Sequence, residues 1–160
     1  MPHIFAKTDA EVAYGLAWAH AEDDFKSLQD VVLPAKGLMG RVQGRAGAAG
    51  DYAFALFRCK EITEEKWSTL TPAFLKLIDG YVQGINAYAK AHPEEVLHKK
   101  IFPITMKEYV SSSVLALSVF NGADKALMGI FNNAIETDPE LNKKGSNAMA
   151  VHPTKTNTGE

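Results

Sequence analysis

The stretch 72-PAFLKLIDGYVQGINAYAKAHP-93 decides the fold class of this chain. Phe74, Ile78, Tyr81, Val82, Ile85 and Tyr88 recur at spacings of three and four, the stripe of a helix that turns one face to a core. Pro72 suits the first turn, where a missing N–H costs nothing, and His92-Pro93 closes the run because a residue before proline avoids helical angles. Gly80 and Gly84 lie inside the helix, four residues apart, where small side chains let a second backbone come close.

Working outward from this helix, the N-terminal third repeats the pattern. His3 to Ala6 reads as a short extended piece, and Thr8 or Asp9 offers an N-cap with Glu11 placed to favour the positive end of a helix. Val12, Leu16, Ala19, Phe25, Leu28 and Val32 then fall at helical intervals until Pro34 and Gly37 stop them. The expectation is one long helix, bent near Asp23 and Asp24. Five glycines (Gly37, Gly40, Gly44, Gly47 and Gly50) follow, and predict a loop or tight crossing rather than a regular element. They match no phosphate-binding fingerprint, so their expected role is to permit backbone angles other residues avoid.

Toward the C-terminus, a third helical stretch runs from about Thr105 to Ile135, with Asn121-Gly122 as its interruption. Asp138, Pro139, Asn142, Lys143 and Lys144 make a polar linker. After it, Asn147 to Val151 is apolar enough for a strand, and Thr156 to Gly159 resembles the turn that follows. A strand without a partner is an unstable ending, so the last residues read as an interrupted domain. The expected fold class is mainly α, with short strands at both ends.

Composition narrows the function. The 160 residues are 46% hydrophobic and 22% charged, with a formal net charge of −2, ordinary for a soluble globular domain. No basic excess would attract phosphate backbones, which argues against nucleic acid as a partner. Cys59 is the only cysteine, so neither an internal disulfide nor a cysteine-built metal site is available. No apolar run reaches the ~18 residues that suggest a membrane span, and the first residues lack the basic-then-apolar pattern of a signal peptide. The histidines (His3, His20, His92, His98 and His152) show no pair at the spacing of a local metal site, so no metal is expected from them. Asp23 and Asp24 are neighbours on a helix and do not share a face, which leaves a solvated role as the simpler reading. Gly145-Ser146-Asn147 is a weak signal alone, but it sits between a polar linker and a strand-like run, where a self-processing enzyme would place its cut.

Three stretches carry a resemblance to a known family. Met1-Pro2-His3-Ile4-Phe5-Ala6 is similar to a G-[VM]-P-H-I-[YF]-A segment. Tyr14-Gly15-Leu16-Ala17-Trp18-Ala19-His20-Ala21-Glu22-Asp23 resembles a Y-G-x-G-Y-x-x-A-Q-D helix. Gly145-Ser146-Asn147-Ala148-Met149-Ala150-Val151 resembles a G-S-N-x-W-x-[VI] junction. In this order and at these distances, they resemble the penicillin acylases among the N-terminal-nucleophile hydrolases, over nearly all of the chain. The resemblance implies an α+β enzyme with a four-layer αββα core. Residues 1–136 would be its helical α-chain region, 137–145 a linker, and 146–160 the first strand and turn of a truncated catalytic β-chain.

The resemblance also implies the chemistry. A precursor would cut itself at Gly145–Ser146, and the β-chain would stay bound to the α-chain as a heterodimer. Ser146 would be the nucleophile, and its freed α-amino group, with a reference pKa of about 7.7–8.0, the base. The substrate would be a small-molecule secondary amide, such as the side-chain amide of a β-lactam antibiotic or an N-acyl homoserine lactone. Phe120 falls where family members line the acyl pocket. No cofactor is implied for catalysis. A structural calcium is known in some members, but no glutamate stands in the region aligned with its ligand, Asp124 to Leu127. Asp24 replaces a frequent arginine and Met149 a tryptophan. Family members are periplasmic or secreted, so an export signal would lie upstream, and Met1 reads as an internal residue taken as a start. The alternative is a non-enzymatic helical interaction module or an inactive remnant, in which Ser146 is a loop serine.

The oxyanion-hole donors of such an enzyme lie beyond Glu160, and donors of this kind contribute about 2.7–4 kcal/mol each to the transition state. The 160-residue chain alone is therefore expected to neither hydrolyse amides nor process itself. Incubation with a chromogenic amide, with intact mass followed in parallel, checks both expectations; Ser146-dependent turnover would contradict them.

Overall fold

A computed structural model describes residues 3–131. They fall into two units that divide after Asp124. In the first unit, helix α1 (Asp9–Val32) has Thr8 of the two offered residues as its N-cap, and Glu11 closes a capping box with it. The Thr8 hydroxyl accepts from the Glu11 amide at 3.3 Å, and the Glu11 carboxylate accepts from the Thr8 amide at 3.0 Å, so two orphan donors are satisfied at once. The expected bend is present: Asp24 leaves helical angles (φ −153°, ψ 78°), and its carboxylate accepts from the Ser27 amide at 3.0 Å. Asp24 thus caps the second half of the helix, and these bonds hold its carboxyl below the usual range.

Helix α4 (Pro72–Ala91) packs along α1. Thr71 caps it through the Phe74 amide at 3.2 Å, and Pro72 occupies its first turn. The face that α1 turns inward is Ala13, Ala17, Ala21, Phe25, Gln29 and Val32, one residue on from the Val12–Leu16 stripe that periodicity suggested. Val12 and Leu16 are left partly exposed. The reason lies in α4: a Cβ on Gly80 would fall on the Ala10 carbonyl, and one on Gly84 would meet the Tyr14 carbonyl and the Ala17 side chain. Backbones this close accept only small residues between them, so α1 offers its alanines. The contacts advance together, Ala10 at Gly80, Tyr14 at Gly84 and Trp18 at Tyr88, so the two helices run in the same direction. Beyond the glycines the gap widens and aromatic rings fill it: Tyr88 meets Trp18 edge-on at 5.3 Å and Phe25 at 4.9 Å, and Phe25 stacks on Phe102 at 5.4 Å.

Two side-chain amides, Gln29 and the half-buried Asn86, fasten the segment after α4. The Gln29 side chain, fully buried, donates to the Glu95 carbonyl at 3.0 Å and accepts from the Leu97 amide at 2.8 Å. Asn86 does the same for a single residue, donating to the Ile104 carbonyl at 2.9 Å and accepting from its amide at 2.8 Å. An irregular segment thereby satisfies its backbone without a sheet, while Ile101 and Ile104 fill the core.

The glycine-rich region is a correction in part. Rather than a loop, it forms helix α2 (Met39–Leu56), broken at Gly44 (φ 68°, ψ −145°). The crossing itself is tight. A Cβ at Gly47 would strike the Met39 carbonyl, and the Asp51 carboxylate reaches back to the amides of Met39 (3.1 Å) and Gly40 (2.9 Å), capping the start of the same element. Helix α3 (Cys59–Lys66) packs on α5 (Met106–Phe120), which opens with a second capping box from Thr105 and Glu108. Asn121 and Gly122 (φ 85°) interrupt the third stretch where expected, and helix α6 (Ala123–Phe131), which crosses into the second unit, follows.

The short N-terminal strand is not formed. Residues 3–6 are irregular, and Ile4 lies on the flank of α1 against Gly15. Among the described residues there is no strand for this segment to pair with, and an isolated strand has no hydrogen-bond partners. The second expected strand, Asn147–Val151, lies outside the described residues.

Glycine inside a helix normally costs about 1 kcal/mol relative to alanine. At Gly80 and Gly84 the sign should reverse: Gly80→Ala or Gly84→Ala forces α1 and α4 apart, an overpacking cost of about 1–3 kcal/mol. Thermal denaturation followed by circular dichroism should show a lower midpoint for either variant; a raised midpoint would mean that the close approach is wrong.

Candidate functional site

Of the sequence-derived site residues, Gly145 and Ser146 lie outside the described residues, as does the 137–145 linker. Phe120 is described: it ends α5 and is 70% exposed, just before the Asn121-Gly122 break.

The described histidines separate into distinct settings. His3 is exposed. His20 Nδ1 lies 3.0 Å from the Tyr81 hydroxyl, and Tyr81 in turn packs on Tyr109 with ring centroids 5.2 Å apart. Burial pushes both tyrosine hydroxyls well above their ordinary range, so they serve as neutral hydrogen-bonding groups. His98 accepts from the Lys100 amide at 3.2 Å. Cys59 is fully buried, which raises its thiol pKa and leaves it a packing residue.

His92 is the exception. As the C-cap of α4 it stacks on Tyr88 at 4.2 Å, and its Nδ1 lies 3.7 Å from the Glu94 carboxylate and 3.5 Å from that of Glu95. Among the described residues these three form a group whose ligand atoms lie within 4.8 Å of one another. Comparing histidine with histidine missed it; the signal was the adjacency of His92 to Glu94 and Glu95.

A cleft of about 100 Å³ opens between the 3-10 turn Pro34–Lys36 and helices α2, α3 and α5, lined among others by Thr63, Glu64, Lys107, Glu108 and Ser111. Two ion pairs cross it. Lys107 pairs with Glu64 and lies 5.5 Å over the Trp67 ring, while Lys36 bonds Glu108 at 2.9 Å. Thr63 and Ser111 donate to helix carbonyls of their own turns. These two ion pairs tie α5 to α3 and to the Pro34–Lys36 turn, and Lys60 adds a further positive charge to the lining. Among the described residues no helix is long and apolar enough to cross a membrane.

Comparison with known proteins covers the whole chain. A family model described as penicillin amidase matches residues 1–160. An acyl-homoserine lactone acylase, PvdQ, of Pseudomonas savastanoi pv. phaseolicola is 29% identical over 94 residues, 54% of this chain and 12% of that protein. The corresponding acylase of Pseudomonas fluorescens is 26% identical over 94 residues, with the same coverage. The alignments thus reach about an eighth of the length of these relatives.

The Glu108 carboxyl is pushed up by burial, but its bonds to Lys36 and to the amide and hydroxyl of Thr105 outweigh this and bring it below its ordinary 4.5. A lowered folded-state pKa stabilises above the unfolded value and loses that contribution as pH falls through the folded one. Melting curves from pH 6 to 3 should therefore show Glu108→Gln less stable by ~1 kcal/mol at pH 6. The deficit should shrink as pH falls below the ordinary carboxylate value and be lost as it passes through the lowered folded-state one; a pH-independent deficit would assign the effect to packing.

Proposed function

The chain belongs to the penicillin amidase family, and on that premise we propose that it is the helical part of an amide hydrolase whose nucleophile is Ser146. The observation that carries this is the match of the family model across all 160 residues, the Gly145-Ser146-Asn147 junction included. The relatives named as acyl-homoserine lactone acylases favour an N-acyl homoserine lactone as substrate, with a β-lactam side-chain amide as the related choice. Both present a secondary amide between an acyl chain and a more polar amine.

In this reading, cleavage at Gly145–Ser146 frees the α-amino group of Ser146. That amine takes the hydroxyl proton as Oγ attacks the amide carbonyl, and returns it to the departing amine. The acyl group stays on Oγ as an ester until water, deprotonated by the same amine, releases the acid. Phe120, exposed at the end of α5, supplies an apolar wall for the acyl chain. The catalytic β-chain beginning at Ser146 remains the partner of the 1–136 helical region, in a periplasmic or secreted enzyme. No cofactor enters these steps.

The test is N-terminal sequencing, with intact mass, of the protein as its source organism makes it. A subunit beginning at Ser146, with Asn147, Ala148, Met149 and Ala150 next, is the expected result. A single uncut chain would remove the special role of Ser146 and leave a helical interaction module or an inactive remnant.

A further inference from the structure

Independently of the acylase reading, we propose that His92, Glu94 and Glu95 bind a divalent transition-metal ion, zinc by preference, at the C-terminal end of α4. The donors are the imidazole Nδ1 and one oxygen from each carboxylate, all within 4.8 Å of one another.

The spacing leaves room for a shared ion. Nδ1 lies 3.7 Å from Glu94 and 3.5 Å from Glu95, longer than a ring N–H hydrogen bond, and it carries at most one proton to share between them. Two ligands each about 2.1 Å from a tetrahedral zinc sit roughly 3.4 Å apart, so small side-chain movements bring all three donors onto one ion.

Two of the donors are also held in place. The face of His92 stacks on Tyr88 at 4.2 Å and its ring meets Trp18 edge-on at 6.3 Å, which fixes the direction of Nδ1. The Tyr88 hydroxyl lies 3.3 and 3.4 Å from the two Glu95 oxygens, the kind of outer contact that orients a ligating carboxylate. Beneath them, buried Gln29 grips the Glu95 carbonyl and the Leu97 amide, so the backbone at Glu95 is anchored to α1. The exposed Glu94 side chain supplies the third donor by turning onto the ion.

Charge and ligand type select the ion. Two carboxylates balance a divalent cation, and the C-terminal end of α4 contributes further negative potential. An imidazole beside carboxylates suits zinc better than calcium or magnesium, which prefer oxygen donors alone. The exposure of Glu94 leaves room for water to complete the coordination. Such an ion would clip the Pro93–Glu95 turn to the end of α4, a structural role away from any acyl transfer.

The full chain, stripped of metal by a chelator, is titrated with Zn²⁺ by calorimetry and with Co²⁺ by visible absorbance. One equivalent should bind, and His92→Ala should weaken it at least tenfold. Glu94→Gln should also weaken it, and this variant disturbs no packing because Glu94 is 69% exposed at its side chain. His98→Ala should leave the affinity unchanged. The absence of saturable binding, or an affinity indifferent to His92→Ala or to Glu94→Gln, would overturn the proposal.

Discussion

The rest of this structure depends on how closely the backbones of α1 and α4 approach. Gly80 and Gly84 leave the Ala10 and Tyr14 carbonyls in direct contact with the α4 surface, and Ala13, Ala17 and Ala21 complete the narrow seam. Because the seam holds no large side chains, the aromatic groups are displaced to its far end. There Trp18, Phe25, Tyr88 and Phe102 pack together, and the bend at Asp24 comes in the same stretch of α1. The same displacement places Gln29 under the 95–97 backbone and His92 over Tyr88. A choice of two small residues in α4 thus sets the arrangement of the opposite end of the helix pair.

Much of this was legible in the sequence, and for identifiable reasons. The N-cap at Thr8 is a local device, and α4 has the apolar period and flanking prolines of a helix. Asp24 and the Asn121-Gly122 pair disrupt helices through short-range chemistry that needs no tertiary context. The buried face of α1 was less legible. Periodicity favours the larger apolar residues, Val12 and Leu16, whereas the partner helix demands small ones. The glycine-rich region deceived for the related reason that glycine serves both a loop and a close crossing. Only the Asp51 cap and the Met39 contacts make it a helix broken once. The N-terminal strand required a partner that only tertiary structure could supply.

The candidate site was legible in another way. Ser146 stands out through its setting between a polar linker and a strand-like run, and through resemblance to an amidase junction that the family match extends over the chain. Among the described residues, the hydroxyls of Tyr81 and Tyr109 are kept neutral by burial, Cys59 is enclosed, and two ion pairs cross the cleft beside α5. The His92 cluster escaped sequence reading because its carboxylates follow the histidine across a helix end, where spacing rules for regular helices do not apply.

The central claim is that Ser146 is the nucleophile, and covalent trapping tests it most directly. The protein as made by its source organism is treated with a serine-directed sulfonyl fluoride, and the modified peptide is located by mass spectrometry. The account predicts a single adduct on Oγ of Ser146, with amidase activity lost in proportion to labelling. Activity lost with the adduct on another residue, or amide hydrolysis that persists once Ser146 is fully labelled, would contradict it.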